Sequence, residues 1–407
     1  MVNIETYLSN FSLYNNMDKT KVDNYLIDNK KITRYFNEFW TNRQRQASSI
    51  HEISYRACFK PQLPHLFIQL LTKIGDVVYD PFSGRGTSII EAGLMNRMVV
   101  SNDINPLSKI LTMPRFFIPK IYEVEKRLNK IQFNKNKKAD IDLSMFYHPK
   151  TESELVSLKK YLKLRLKNKK EDDIDRWIRM VATNRLTGHS PGFFSVYTLP
   201  PNQAVTQESQ IKINNKLNQK PEYKDVKKII LNKTKSLLRN LNEQEKLSLR
   251  SVGETALFLT KDARKTQKIK SNSIQLTVTS PPFLNIVQYS KDNWLRCWFN
   301  SIDDNKISKR ITMSKTVEDW SIVMGDVFKE LFRITKPDGY VAFEVGEIKG
   351  GSINLDDHVV PLGIKAGFEC GGILINTQRF TKTSNIWGVN NNNKGTNSNR
   401  VVIFKKN

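Results

Sequence analysis

Residues 76–103 constrain this chain more than any other stretch. Asp76–Asp80 (DVVYD) reads as a short buried strand, DPFSGRGT as a glycine-rich loop, SIIEAGLMNR as a helix, and MVVSND as a second strand ending on an acid. Strand, loop, helix and strand with a terminal acid, in that order, open a Rossmann-like α/β sheet, where ligands sit beyond the carboxyl ends of the strands. Glycines at 84 and 86 let backbone come close to a ligand, although a tight structural turn has the same requirement. The loop has no GK[ST] and lacks the third glycine of a dinucleotide fingerprint, so neither phosphate-loop reading applies. Asp103, at the end of the second strand, can accept from both hydroxyls of a ribose; otherwise it is a surface loop acid.

The α/β rhythm stops near residue 107 and resumes near 251. Between them lie Lys- and Asn-rich runs such as KKYLKLRLKNKK that read as helices and hold most of the basic excess. They flank NRLTGHSPGFFSVYTLPPNQAVTQ, a stretch of turn residues, aromatics and amides. Residues 107–250 are expected to form an inserted, largely helical basic lobe in a domain made of 51–106 and 251–407. Residues 1–50 read as a helical lead-in around Tyr35, Phe36, Phe39 and Trp40. After the insert come the strand ALFL, the strand SIQLTVT, a helix through MGDVFKELFRITKPDG, and the strands YVAFEVGEI, GFECGGILI and NRVVIFKK. The NNNNKGTNSN connection reads as mobile, and there is no internal repeat.

Two further elements carry chemistry. Asp262, just ahead of a strand, can accept from an adenine amino group. Thr279-Ser280-Pro281-Pro282-Phe283 follows a strand directly, and its paired prolines fix a backbone whose carbonyls have no local amide partners. A rigid acceptor array results.

DPFSGRGT followed by TSPPF resembles the amino-methyltransferase family of DNA-modifying enzymes, and the serine before the proline pair resembles its cytosine-N4 branch. The resemblance covers residues 55–107 and 255–407. It implies a Rossmann-like S-adenosylmethionine-dependent methyltransferase sheet. The cofactor would fall on Asp80, Phe82, Gly84, Gly86 and Thr87, with Asp103 and Asp262 as ribose and adenine acids and Ala263 beside them. ACFKPQLPHLFI resembles the element preceding the glycine loop and would bring Phe59, Lys60 and Pro61 near the cofactor. Ser280, Pro281, Pro282 and Phe283 would hold a target base extruded from duplex DNA. Adenine enzymes of the family mostly carry Asp or Asn where Ser280 stands, so cytosine N4 is favoured over adenine N6. An RNA or tRNA base methyltransferase would share the cofactor half, and a non-catalytic DNA-binding protein on a decayed fold would have lost these motifs.

Composition narrows the partner. A net charge of +25, from 65 basic and 40 acidic residues, suits a polyanion, although lysines also serve simply as solvated surface. In the insert, Arg185, His189, Asn202 and Gln203 are candidates for reading base edges in the major groove. The three cysteines form no CxxC pair, and none follows a proline as the nucleophile of the cytosine-C5 enzymes does, so neither a metal nor C5 methylation is expected. With no apolar run of roughly 18 residues and no signal segment, no membrane partner is expected and the expected location is cytoplasmic. A cognate restriction endonuclease or defence system is the expected setting.

Overall fold

The computed structural model describes residues 4–12, 19–40, 47–56, 58–199, 204–282, 292–310, 314, 316–348, 352–377 and 398–407. The strands are β1 (Lys21–Ile27), β2 (Lys30–Asn37), β3 (Val77–Asp80), β4 (Met98–Asn102), β5 (Leu257–Leu259), β6 (Ile274–Thr279), β7 (Thr335–Val345), β8 (Glu347–Ile348), β9 (Ile353–Asn354), β10 (Glu369–Thr377) and β11 (Ser398–Lys405). The helices are α1 (Ile4–Ser9), α2 (Gln62–Leu71), α3 (Thr87–Leu94), α4 (Leu107–Thr112), α5 (Ile121–Lys130), α6 (Pro149–Lys167), α7 (Asp173–Arg185), α8 (Gln207–Leu217), α9 (Val226–Leu238), α10 (Glu243–Thr255), α11 (Trp294–Asn300), α12 (Asp304–Arg310), α13 (Val317–Ile334) and α14 (Leu355–Ala366).

Nine strands form one sheet in the order β1-β2-β10-β11-β7-β6-β3-β4-β5. From β5 through β4, β3 and β6 to β7 every pairing is parallel, whereas β11 runs antiparallel to both β7 and β10. The chain moves outward from β3 to β4 and β5, then crosses to β6 on the other side of β3. That reversal creates a crevice at the carboxyl ends of β3 and β6, the place where doubly wound sheets bind ligands. Helices cover both faces, so β6 is buried at every residue, its polar Gln275, Thr277 and Thr279 included. In β11, Val401 and Ile403 enter one hydrophobic cluster, while Val402 and Phe404 enter the cluster under α13 and α14.

Three expectations are corrected. Residues 1–50 are not a helical lead-in: β1 and β2 form a hairpin turning at Asp28 and Asn29, both at positive φ as a two-residue type I′ turn requires. β2 then pairs in parallel with β10, so the sheet includes chain from before residue 51. The helix expected to run through Gly339 ends at Ile334, because Pro337 disfavours helical backbone at Lys336. Its last residues enter β7, where pairing with β6 shifts register. The insert is largely helical, as read, but it has no core of its own: Trp177, Ile178, Leu237 and Leu249 share a cluster with Phe67, Val78 and Ile90. α10 packs on α3 and β4, and thus serves as the crossover into β5. Residues 390–397 of the NNNNKGTNSN connection lie outside the described residues, and its last two, Ser398 and Asn399, begin β11.

Candidate active site

The glycine loop is assembled around two carboxylates, Asp80 buried and Asp103 part-buried. Asp80 Oδ1 accepts from the Thr279 hydroxyl at 2.7 Å and from the Phe82 N–H at 3.1 Å, and Oδ2 accepts from the Ser88 hydroxyl at 3.0 Å. At 2% exposure this side chain fastens β3 to β6 and to α3, and burial pushes its pKa up to about 7. Asp103 accepts from the Gly84 N–H at 2.9 Å and the Asn105 N–H at 2.8 Å, which ties the loop to the end of β4. Burial brings Asp103 up to about 6. Gly84 and Gly86 have φ of +52° and +78°, and a Cβ on Gly86 would run into the Thr112 side chain of α4. Thr87 is buried and its hydroxyl accepts from Arg85 Nε at 3.1 Å.

Beyond the strand ends lies a cleft partly open to solvent. Phe82 and Gly84 contribute one side, Asp103 and Asn105 another, with Lys261, Asp262, Ala263 and Arg264 following β5. Val323, Met324 and Val327 of α13 form an apolar wall, and Tyr55, Ser280 and Pro282 complete it. The Asp262 carboxylate is paired with Arg264 at 2.6 Å. Ser280 lies beside the Glu344 carboxylate of β7 and favours its ionised form, while burial, the larger effect, raises its pKa; this carboxylate accepts from Asn399 Nδ2 at 2.7 Å. The Pro282 carbonyl accepts from the Trp320 indole N–H at 3.0 Å.

The structure brings Phe82, Gly84, Asp103, Asp262, Ala263, Ser280 and Pro282 to one cleft. It corrects the placement of other expected residues. Asp80, Gly86 and Thr87 do not line it; they act beneath it, with their polar groups engaged and a tight approach to α4. Pro281 is buried behind its neighbours. Lys60 points to solvent and Pro61 caps α2, while the nearby wall residue is Tyr55; Phe59 offers its carbonyl to Arg85. Arg185 is 9% exposed with its guanidinium 3.8 Å from the Phe193 ring centroid, which removes it from base reading at the surface. His189 is exposed at the tip of its turn. Phe283, Asn202 and Gln203 lie outside the described residues.

Sequence reasoning missed Tyr55, Glu344, Trp320 and the α13 wall. The wall has a local signal, since Val317, Trp320, Met324 and Val327 repeat at helical spacing. Glu344 has one too, as an acid inside an apolar strand, but its partner Ser280 is far away in sequence.

Residues 6–110, which contain the glycine loop and Asp103, match the family model described as DNA methylase. The Type II methyltransferase M.BsoBI of Geobacillus stearothermophilus is 24% identical over 347 residues, 78% of this chain and 66% of that protein. The Type II methyltransferase M.MvaI of Kocuria varians is 36% identical over 98 residues, 22% of this chain and 21% of that protein. The chain thus spans less than two thirds of the length of the relatives it matches. Among solved structures, an rRNA methyltransferase from Streptomyces viridochromogenes aligns with a TM-score of 0.34 and 9% identity, over 89% of this chain and 94% of that one.

Proposed function

We propose that this chain is an S-adenosylmethionine-dependent DNA methyltransferase acting on an exocyclic amino group, cytosine N4 in the favoured reading, within a restriction-modification setting. One observation carries it: Ser280 stands on the wall of the same cleft as Gly84 and Asp103, so a cofactor on the glycine-loop side and an amine at Ser280 share one cavity. The match to a DNA methylase model and the Type II methyltransferase relatives support the same class. The residues fit the cofactor. The cleft is concave with an apolar wall and a few convergent polar groups, Gly84 leaves room beside the loop, Asp103 offers its remaining lone pairs to ribose hydroxyls, and Asp262 serves the adenine amino group. When bound, S-adenosylmethionine supplies an electrophilic methyl group on a sulfonium.

The target amine is conjugated with its ring and is a weak nucleophile, so the protein's task is orientation and charge stabilisation. With its hydroxyl hydrogen turned toward the neighbouring Glu344 carboxylate, Ser280 would keep its oxygen lone pairs free to accept an amine hydrogen. Positive charge on the amine nitrogen is then stabilised by that oxygen, with the Glu344 carboxylate behind it. The Pro282 carbonyl, already accepting from Trp320, has a second lone pair for the other amine hydrogen. Trp320 thereby positions the acceptor array, and Phe283 is assigned to stacking on the base. Glu344 is a positioning residue, since it reaches the substrate through Ser280.

The decisive experiment is incubation with unmodified genomic DNA, or with RNA, and methyl-labelled S-adenosylmethionine, then nucleoside mass spectrometry. N4-methylcytosine is expected. N6-methyladenine would overturn the reading of Ser280, and label only in RNA would overturn DNA as substrate.

Asp103 gives cofactor binding a pH dependence. Ribose hydroxyls donate to the ionised carboxylate, and in the unliganded protein this group ionises near pH 6. Affinity is therefore fully present above about pH 7 and falls toward tenfold per unit below pH 6. Calorimetric titration of the cofactor product between pH 5 and 8 checks this, and a flat profile would remove Asp103 from the ribose.

A further inference from the structure

Arg185, at the end of α7, and Arg296, in α11, are only 9% and 6% exposed, and neither has a carboxylate partner among the described residues. Arg185 donates to its neighbour Asn184 alone, to the backbone oxygen at 3.2 Å and to Oδ1 at 2.6 Å, and Phe193 holds its plane by stacking. Arg296 donates to Asn293 Oδ1 at 2.9 Å and to the Ser54 carbonyl at 3.1 Å. It stands 5.6 Å from the ring centroid of Tyr55, the aromatic wall of the cleft. Both guanidiniums have N–H groups to spare.

The surroundings are richer in positive than in negative charge. One carbonyl joins the two arginines: Ser54 O accepts from Arg296 at 3.1 Å and, also at 3.1 Å, from Asn184, whose Oδ1 accepts from Arg185. Burial lowers the pKa of both arginines, and burial with the Arg185 charge brings Lys233 down to about 8. Glu52 is shared by Lys233 and Arg239, and Asp292 is taken by Arg56 at 2.7 Å. Five cations thus face two carboxylates. Buried cations that outnumber their counter-ions are costly to a fold, and an anion seated among them would offset that cost.

The chain path puts this pair between the insert and the target-base residues. The Ala204 N–H donates to the Asp292 carbonyl at 3.1 Å and the Trp294 indole donates to the Val205 carbonyl at 3.1 Å. The aromatic turn segment of the insert is thereby stitched to the first described helix after the proline pair, the helix that carries Arg296.

We propose that Arg185 and Arg296 form a clamp for one phosphodiester of the DNA strand that carries the target base, at the passage into the cleft; this rests on the methyltransferase reading above. Two guanidinium forks fixed by an aromatic face and by backbone suit the bidentate geometry of phosphate oxygens. The contact carries no sequence information: it sets the depth to which the strand enters.

The test uses the full chain, unmodified genomic DNA and labelled S-adenosylmethionine over a range of potassium chloride concentrations. Arg185→Gln and Arg296→Gln are expected to raise the KM for DNA about tenfold. They should also reduce the slope of log kcat/KM against log salt by about 1 each, with cofactor affinity unchanged. A role confined to packing would leave that slope alone. Arg185→Lys and Arg296→Lys should keep the slope yet raise KM through loss of the fork. Wild-type KM and slope in folded glutamine variants would overturn the clamp. If the glutamine variants do not fold, wild-type KM in the lysine variants overturns it instead. Absence of label in DNA with the wild-type chain would remove the methyltransferase reading itself, and the clamp with it.

Discussion

Ser280→Ala is expected to lower kcat by about 10²–10³-fold while cofactor affinity stays at the wild-type value. In the proposed mechanism the Ser280 oxygen is the side-chain acceptor for the amine, and it lines the cleft beside Glu344. Its removal deletes an interaction that strengthens only as charge appears on the amine, so the loss falls on kcat. Alanine leaves no steric conflict, and Gly84 and Asp103 across the cleft are untouched. Glu344→Gln should show a smaller loss of kcat, because the amide can still bond Ser280 but withdraws the negative charge behind it. Single-turnover methylation together with calorimetric cofactor titration separates the two terms. A Ser280→Ala enzyme with near wild-type kcat would mean that the amine is held elsewhere.

Gly86→Val should cost about 3 kcal/mol or more of stability and abolish cofactor binding. Gly86 sits at φ +78°, where a β-branched residue is a steric outlier, and its new Cβ would meet Thr112. Relief requires the start of α3 to move away from α4, which breaks the placement of Gly84 against Asp103. Gly84→Val is expected to separate the two effects. At φ +52°, with a Cβ landing 3.5 Å from the Tyr55 ring, it strains the loop less and fills the cleft more. Cofactor binding should be lost there with a smaller fall in Tm. Thermal unfolding and cofactor titration of both variants are the measurement; an unchanged Tm for Gly86→Val would show that the loop can be rebuilt at little cost.

The glycine loop, the acid at the end of β4 and the Ser-Pro-Pro triplet after β6 were legible because they are local. Each needs particular residue types at fixed spacing along a few residues of backbone. The N-terminal hairpin was also local, announced by Asp28 and Asn29 between alternating residues, but that signal is weak beside an amphipathic stretch that also fits a helix. Arg185 shows the opposite failure. Its residue type suggested base reading, yet a guanidinium can stack under an aromatic ring as readily as reach outward, and only packing around Phe193 decides which.

From the sequence alone came the α/β class, the crevice at the first glycine loop and the positions of its two motifs directly after strands, because backbone conformation and hydrophobic period are set by near neighbours. Tertiary structure alone decided that Ser280 leans on Glu344, that Trp320 holds the Pro282 carbonyl, and that Asp80 fastens strands rather than touching a ligand. It also decided that the insert shares the core of the sheet. Those pairings join residues distant along the chain. They follow from which faces the whole fold must bury and which polar groups are left needing a partner once it has done so.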